Sequence, residues 1–560
     1  MGRPKFARPR IVVLRRASQI FFLALFLFLL VRTQFNGTIG SGSDIRMRWP
    51  VRLFFELDPL AALSNALATH ALYRGMLWSL LILLPVMFLG RFFCGWICPL
   101  GTLHHFFGNL KSEQKRGKQW VDSNRYKPWQ RTKYVILIAV LTAAVCGSGL
   151  VGWLDPFSML TRSLGLSIVP AANYAANAAL GPLEHSRFGL LQAIAGGLHA
   201  ALAATVLNFR QPHFRAGVLL GLIFLFLLAL NLRVTRFWCR ALCPLGALLG
   251  VASRWSILGL HKDPKSCDQC NRCLLHCQGG DNPIGGVPWH KAECLMCMNC
   301  VDVCPHHGLE FQLFRKEAEV VGANLPRRRA LAAVAAGIAA LPLLRANTAL
   351  GKSRDAHLIR PPGALDETDF LSRCIRCGEC MKVCPNNSLQ PTLAEAGLEG
   401  LWTPMLTPRI GYCEPSCVLC SEVCPTGAIW KITPQEKGWV VGLGGPGEQT
   451  PQPVRLGTAF YDRGRCLPWA MATNCIVCEE WCPVSPKAIY LQEVEIIDAE
   501  GNKKVVKQPH VDPSRCVGCG ACEYACPLQE HPAVYVTSIG ESRSASSQIL
   551  LTRREGKEQS

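Results

Sequence analysis

The chain has 560 residues, 49% of them hydrophobic and 18% charged, with a formal net charge of +20. A chain of this length holds several domains, and 29 cysteines spread along it exclude the short disulfide-stapled scaffold of small secreted proteins. Up to Gly351 there are 38 basic and 15 acidic residues, and beyond it 21 and 24. The positive surplus therefore lies with the apolar half, where it orients a chain in a membrane instead of gripping nucleic acid.

In chain order, charge-free stretches cover Ala17–Val31, Gly75–Gly90, Tyr134–Leu154, Phe188–Phe209, Ala216–Leu232 and Ala330–Leu344. Several fall short of the ~20 residues that cross a bilayer, but basic residues at their ends can snorkel. Buried helices of a soluble enzyme are the alternative; residues 21–30, apolar all round, argue for lipid. Arg3, Lys5, Arg8, Arg10, Arg15 and Arg16 mark a cytoplasmic N-terminus. Lys111, Lys115, Arg116, Lys118, Arg125, Lys127, Arg131 and Lys133 mark a second cytoplasmic segment.

This apolar half is an internal repeat. Leu57-Asp58-Pro59-Leu60 leads to Arg91-Phe92-Phe93-Cys94-Gly95-Trp96-Ile97-Cys98-Pro99-Leu100-Gly101. Leu154-Asp155-Pro156-Phe157 leads to Arg236-Phe237-Trp238-Cys239-Arg240-Ala241-Leu242-Cys243-Pro244-Leu245-Gly246. Each half predicts a helix going out, an external Asp-Pro segment, a returning helix and a C-x3-C-P-L-G turn. Parallel repeats need an even number of crossings between the two turns. That assigns Ala216–Leu232 to the bilayer and Phe188–Phe209 to an external interfacial helix.

Next come two cysteine runs, Cys267-Cys270-Cys273-Cys277 and Cys294-Cys297-Cys300-Cys304. Pro326-Arg327-Arg328-Arg329 and an alanine-rich stretch follow, which reads as an internal twin-arginine-like export signal or as a helix with a basic flank. Either reading places the chain from about Lys352 outside. Ala346-Asn347-Thr348-Ala349 makes a poor cleavage site, so an anchor is expected. Four more runs lie beyond: Cys374-Cys377-Cys380-Cys384, Cys413-Cys417-Cys420-Cys424, Cys466 with Cys475-Cys478-Cys482, and Cys516-Cys519-Cys522-Cys526. Gly442–Pro453 reads as a surface loop, and Gly427–Trp430 and Lys487–Leu491 as short strands of α+β units.

Four of the six runs read C-x2-C-x2-C-x3-C, the bacterial ferredoxin spacing, in which three thiolates hold one [4Fe–4S] cubane and the fourth reaches a neighbour. Structural zinc pairs two C-x2-C knuckles across a longer loop, and suits four cysteines inside eleven residues poorly. The repeat brings Cys94, Cys98, Cys239 and Cys243 to one face, as a metal site, as a thiol redox centre, or as turns that merely end helices. Cys146 reads as a small core residue.

The first repeat turn, Trp153-Leu-Asp-Pro-Phe-Ser, the second turn and the two inner runs resemble the NapH-type membrane subunit of the periplasmic nitrate reductase quinol dehydrogenase. The part from Arg327 with its four runs is similar to the NapG-type ferredoxin subunit, and to ferredoxin-type proteins of methylamine utilisation. The resemblance implies a multi-domain chain: an α-helical membrane bundle plus α+β bacterial-ferredoxin-like iron–sulfur domains. Its parts are a membrane domain over 1–260, a cytoplasmic two-cluster domain over 261–315, a signal or anchor helix over 316–350 and an exported four-cluster domain over 351–560. It implies six [4Fe–4S] clusters. Inside, Cys267, Cys270, Cys273 and Cys304 hold one and Cys294, Cys297, Cys300 and Cys277 the other. Outside, the implied arrangement is nested: Cys374, Cys377 and Cys380 with Cys526; Cys516, Cys519 and Cys522 with Cys384; Cys413, Cys417 and Cys420 with Cys482; Cys466, Cys475 and Cys478 with Cys424. Gln278 replaces the usual proline after Cys277.

The implied function is a quinol dehydrogenase of the bacterial inner membrane, N-terminus cytoplasmic and C-terminal domain periplasmic, passing electrons from the quinone pool to a periplasmic reductase or cytochrome. A relay fed by a cytoplasmic donor and an assembly or redox-maintenance factor are the alternatives. Quinol oxidation releases protons, and Asp58, Asp155, His70, His104, His105 and His199 are candidate acceptors, although Asp-Pro also forms turns. No C-x-x-C-H haem site and no nucleotide-binding glycine loop occurs, so neither c-type haem nor bound NAD is expected.

Overall fold

The computed structural model describes residues 9–35, 47, 49–109, 118–207, 211–314, 320–322, 325–350, 355–439, 452–497 and 501–543. Arg3, Lys5, Arg8, Lys111, Lys115, Arg116, Lys352 and most of the expected loop Gly442–Pro453 lie outside the described residues.

The first half is helical: α1 Pro9–Arg32, α2 Pro59–Thr69, α3 Leu80–Leu89, α4 Pro99–Asn109, α5 Thr132–Val145, α6 Pro156–Ser163, α7 Val169–Glu184, α8 Gly189–Thr205, α9 Gly217–Ala229 and α10 Pro244–Ala252. The repeat explains four of the starts. Proline opens α2, α4, α6 and α10, where its missing N–H costs nothing. The residue before it caps: Asp58 accepts from Leu60 N at 2.9 Å, Asp155 from Ser158 N at 2.7 Å, Cys98 from Gly101 N at 3.4 Å and Cys243 from Gly246 N at 3.2 Å. Among the described residues one helix, Ile11–Arg32, is long and apolar enough to cross a membrane; Arg74–Leu89, Gly189–Ala203 and Gly217–Leu232 are apolar but shorter. A further helix, α11 (Arg327–Leu350), lies along α5 with Gly337 closed onto the Ala139 carbonyl.

Small α+β units sit at both ends of this bundle. β1 (Leu258–Lys262) pairs antiparallel with β2 (Leu309–Leu313), and the strands bracket Cys267 to Cys304. Beyond α11, β3 (Leu389–Pro391) pairs with β4 (Pro404–Leu406). β5 (Thr458–Tyr461) pairs with β8 (Val534–Thr537), and β6 (Ile489–Ile497) with β7 (Lys503–Val511), all antiparallel. The expected strand at Lys487–Leu491 starts at Ile489, whereas Gly427–Trp430 contributes only a single bridge, Ala364 to Ile429.

Helix α5 measures the separation of the two units. At its first turn Lys133 and Tyr134 reach Glu293 of the inner unit, the tyrosine hydroxyl at 3.0 Å. Just past its last turn Ser148 Oγ donates to Glu399 of the outer unit at 2.6 Å. Fourteen helical residues put those contacts about 21 Å apart.

Lys133, in the segment expected to be cytoplasmic, is fully buried on Glu293 of the inner unit. One expectation needs correction here. Cys146 is not core, because α5 ends at Val145 and leaves it exposed as the C-cap.

Candidate metal centres

The cysteine runs share a backbone signature. In the four regular runs the residues just before and just after the second cysteine both have positive φ: Gln269 and Asn271, Met296 and Met298, Arg376 and Gly378, Gly518 and Gly520. Five of those eight are not glycine, and each such residue costs on the order of 1 kcal/mol or more unless its surroundings hold it there. A loop folded back on itself in this way turns its thiols inward around a common volume. The loop strain and the all-cysteine donor sets fit a thiolate-ligated cluster.

Three such volumes are open cavities. Cys267, Cys270, Cys273 and Cys304 line one of about 410 Å³. Cys374, Cys377, Cys380 and Cys424 line one of about 350 Å³. Cys516, Cys519, Cys522 and Cys482 line one of about 330 Å³ whose other walls are Ala, Val, Ile, Pro and Gly. Cys384 faces Cys413, Cys417 and Cys420; Cys526 faces Cys466, and Cys475 and Cys478 face it too. Cys277 faces Cys300, which also faces Cys297 and lies against Cys294. Among the described residues, no three Cys, His, Asp or Glu side chains close on a point that could hold a single metal ion.

In the inner unit the thiols that lie together are those the resemblance grouped; in the outer unit the neighbours differ from the nested arrangement. Cys424 joins the first outer run, not Cys526; Cys384 joins the second, Cys526 the third and Cys482 the fourth. The outer part is thus two successive two-site units instead of one nest. The physical reason is local closure: Ile429, just after Cys424, bridges Ala364 and donates its N–H to Cys424 Sγ at 3.4 Å, pinning that cysteine beside the Cys374 run.

The sets form a line. In the outer part, Cys413 N donates to Cys519 O at 2.8 Å, so the second set abuts the fourth, and Cys522 faces Cys478 of the third. The first outer set is docked on the bundle. Arg376 donates to the carbonyls of Cys374, Gly149 and Glu399, and Arg162 to those of Gly152 and Arg376, at 3.2 and 2.9 Å. The inner Cys294 run is docked on the other side: Trp96 Nε1 donates to Met296 O at 2.9 Å, and Arg240 holds the Cys277 and Gln278 carbonyls, each at 2.9 Å. That arginine does the anchoring where the usual proline is missing.

Inside the bundle the repeat brings its own residues together. Cys94, Cys98, Cys239 and Cys243 are all buried and face one another. Asp58 and Asp155 also meet, both fully buried and within hydrogen-bonding reach of each other. Among the described residues, Asp58 Oδ2 and Asp155 Oδ1 accept no N–H or O–H hydrogen bond. Burial, then the facing Asp155, push the Asp58 carboxyl well above the carboxylate range; burial pushes Asp155 up too. Arg162 lies within electrostatic reach of Asp155, Cys374 and Cys377 at once. The histidines stand elsewhere. His104 is buried against Asn231, His199 pairs with Glu184 at 2.6 Å, and His70 is an exposed helix C-cap. His105 is half-buried near Arg236 and Arg15.

Sequence reasoning missed Gly152, Arg162, Arg376 and Glu399, which dock the outer unit. Arg376 carried a signal, as a long basic residue inside a cysteine run.

Comparisons with known proteins place iron–sulfur families on this chain. Families described as 4Fe-4S binding domains match residues 71–119 and 216–261, 291–315 and 370–390, and a 4Fe-4S dicluster domain matches 471–529. The methylamine utilization ferredoxin-type protein MauM of Paracoccus denitrificans is 36% identical over 231 residues, 39% of this chain and 91% of its own length. The ferredoxin-type protein NapG of Escherichia coli is 32% identical over 188 residues, 32% of this chain and 71% of that protein. A putative electron transport protein of E. coli, YccM, is 23% identical over 304 residues, 52% of this chain and 72% of its own. No solved structure matches the chain significantly.

Proposed function

We propose, for a chain that belongs to the ferredoxin-type family of MauM and NapG, a membrane-bound quinol dehydrogenase that relays single electrons outward. The supporting observation is Arg162, one guanidinium shared between the buried Asp58–Asp155 pair and the first outer cysteine set. It puts a proton acceptor and an electron acceptor side by side.

Six [4Fe–4S] clusters, one per four-cysteine set, supply one-electron storage at successive stops when bound. The residues of the chain do the rest. The Asp pair holds one proton between its facing oxygens and takes one of the two protons released as quinol is oxidised, the other passing to water on the outer side, while the two electrons leave one at a time. Phe54, Phe55 and Phe157, the last of them two residues from Asp155, pack together with ring centroids 5.8 and 6.5 Å from Phe157 to the other two, an apolar surround suited to a quinol ring. Arg162 balances the negative charge left on Asp155. The line of sets then leads outward to the Cys466 set, near which Met471 and Trp481 are exposed and suit contact with a periplasmic reductase or cytochrome. The bundle would cross the inner membrane through α1, α3, α5, α9 and α11, with α8 interfacial, the inner unit cytoplasmic and the outer one periplasmic.

A second reading, a relay fed by a cytoplasmic donor, is favoured by the exposed Cys270 of the inner unit, where a soluble donor could dock. Anaerobic addition of a short-chain quinol to the reconstituted chain separates the two. Bleaching of the cluster absorbance supports quinol oxidation; bleaching by dithionite but not by quinol refutes it.

A further inference from the structure

We propose that Asp281 is a fifth protein ligand of the second inner cluster, bound to the iron that Cys277 holds and able to keep that iron when Cys277 does not. The inference rests on the iron–sulfur reading of the Cys277, Cys294, Cys297 and Cys300 set and not on the quinol reading.

The first argument is the turn. The five other runs end in Cys-Pro, whereas this one reads Cys277-Gln278-Gly279-Gly280-Asp281. The two glycines let the chain double back: Gly280 has φ +70°, and a Cβ at Gly279 would stand 2.3 Å from Glu293 O. Gly280 N donates to Cys277 Sγ at 3.3 Å, and Cys277 Sγ donates to Asp281 Oδ1 at 2.7 Å. The carboxyl is aimed from behind. Trp289, fully buried, donates its Nε1 to Oδ2 at 3.4 Å, and His290 N donates to the Asp281 carbonyl at 3.0 Å. Asp281 also lies within hydrogen-bonding reach of Cys294 and faces Cys300. It therefore points into the volume that three of the four cysteines share.

The second argument is charge. Asp281 is 4% exposed, and no Lys, Arg or His stands in ion-pair contact with it among the described residues. Arg240 lies within electrostatic reach but gives its N–H groups to the Cys277, Gln278 and Ser123 carbonyls and to Asn124. Other carboxylates beside the cysteine runs have a cation: Glu379 faces Lys382, and Asp268 pairs with His306 at 2.9 Å. A buried carboxylate without one is strongly disfavoured. As a ligand, Cys277 must also give up the proton that now joins it to Asp281. Two anions would then face each other out of water, which a cation between them resolves. Iron is that cation. Cys384, another fourth cysteine, has Ser388 four residues on at 3.1 Å, a neutral hydroxyl that can donate to sulfur. An ionised carboxylate cannot.

The third argument is donor chemistry. Carboxylate oxygen is a harder donor than thiolate, but both bind iron. The iron at Cys277 thus has a mixed pair of protein donors, and the other three have thiolate alone. An Fe–Oδ bond forms, the thiol proton leaves to water and no electron moves. The extra donor secures the iron at the one run that lacks the Cys-Pro anchor.

The test uses the full chain, isolated anaerobically, with Cys277→Ala, Asp281→Asn and the double variant. Oxidised cubanes are silent in EPR, whereas a cubane that has lost its fourth iron gives a spin-half signal. Each single variant should stay close to silent. The double variant should show about one such spin per chain, or lose about four irons outright. A signal of about one spin per chain in Cys277→Ala alone overturns the proposal, because Asp281 then only hydrogen-bonds to sulfur. Electron–nuclear double resonance on the reduced parent, grown on aspartate labelled with a magnetic carbon isotope at its carboxyl groups, decides independently of how the variants fold. A resolved carbon coupling that Asp281→Asn abolishes supports the ligand, and its absence in the parent overturns it. A parent without cubane signals would instead refute the underlying iron–sulfur reading.

Discussion

Gly152 and Ile375, from opposite halves of the chain, lie so close that a Cβ on Gly152 would stand 2.0 Å from the Ile375 carbonyl oxygen. This contact seats the first outer cysteine run on the Asp-Pro turn of the bundle. Gly149 does the same beside it, donating its N–H to Leu371 O at 3.1 Å.

Gly152→Val should therefore push the outer unit off the turn. Overpacking costs about 1–3 kcal/mol, and quinol-driven bleaching of the outer clusters should slow at least about tenfold, because a small added distance weakens transfer steeply. Stopped-flow absorbance checks the rate, and iron content checks that the clusters remain.

Asp58→Asn and Asp155→Asn should each slow quinol-driven bleaching by about 10²-fold or more, the usual range for a lost general base, and leave dithionite reduction intact. The pH profile gives the sign. A carboxyl raised above the ordinary range accepts a proton only above its raised pKa, so the parent rate should climb with pH through that value. The Asn variants should be flat there. Unchanged turnover in both would remove the pair from the mechanism.

The outer grouping separates Cys424 from Cys526. Cys424→Ser should disturb the EPR signal of the cluster docked on the bundle and cut entry of electrons into the outer line. Cys526→Ser should alter the cluster at Cys466, Cys475 and Cys478 and spare entry. The nested arrangement predicts the opposite assignment, so redox-poised EPR of the two variants decides.

The contrast between inner and outer groupings marks what the sequence could carry. The spacing within a run is set by the cluster it wraps, so the runs themselves were legible, as was the inner pair, where only one exchange of fourth cysteines is available. With four runs, nested and successive exchanges demand the same spacings. The choice is made by which short segment closes beside which run, here Ile429 against Ala364. The repeat likewise revealed that Asp58 would correspond to Asp155 and Cys94 to Cys239, because proline and cysteine mark the helix starts. The docking role of Arg162 was not legible, because it acts on backbone carbonyls, which leave no pattern in side-chain identity; Arg376 acts the same way and was marked only by its place inside a cysteine run. Nor did the sequence reveal that Arg15 and Lys133, in segments expected to be cytoplasmic, are buried against Asn299 and Glu293 of the inner unit.

Stability of the outer unit should depend on Glu367. Burial would raise its carboxyl, but Arg360 and Arg543 hold it down to about 2, against an ordinary value of 4.5. Its folded-state pKa is depressed, so its contribution is fully present above about pH 4.5 and is lost as pH falls toward about 2. Glu367→Gln leaves the buried Arg360 without its counter-ion and should cost about 3–5 kcal/mol. Thermal unfolding at pH 7 should show the loss, and the variant's stability should no longer fall across that acid window.

The central claim is that the six four-cysteine sets hold iron–sulfur cubanes. Iron and acid-labile sulfide, counted per chain in anaerobically isolated protein, test it most directly. The account predicts at least about 24 of each, four for every set, with the brown absorbance of such clusters. Colourless protein, or zinc at those cysteines, would contradict it.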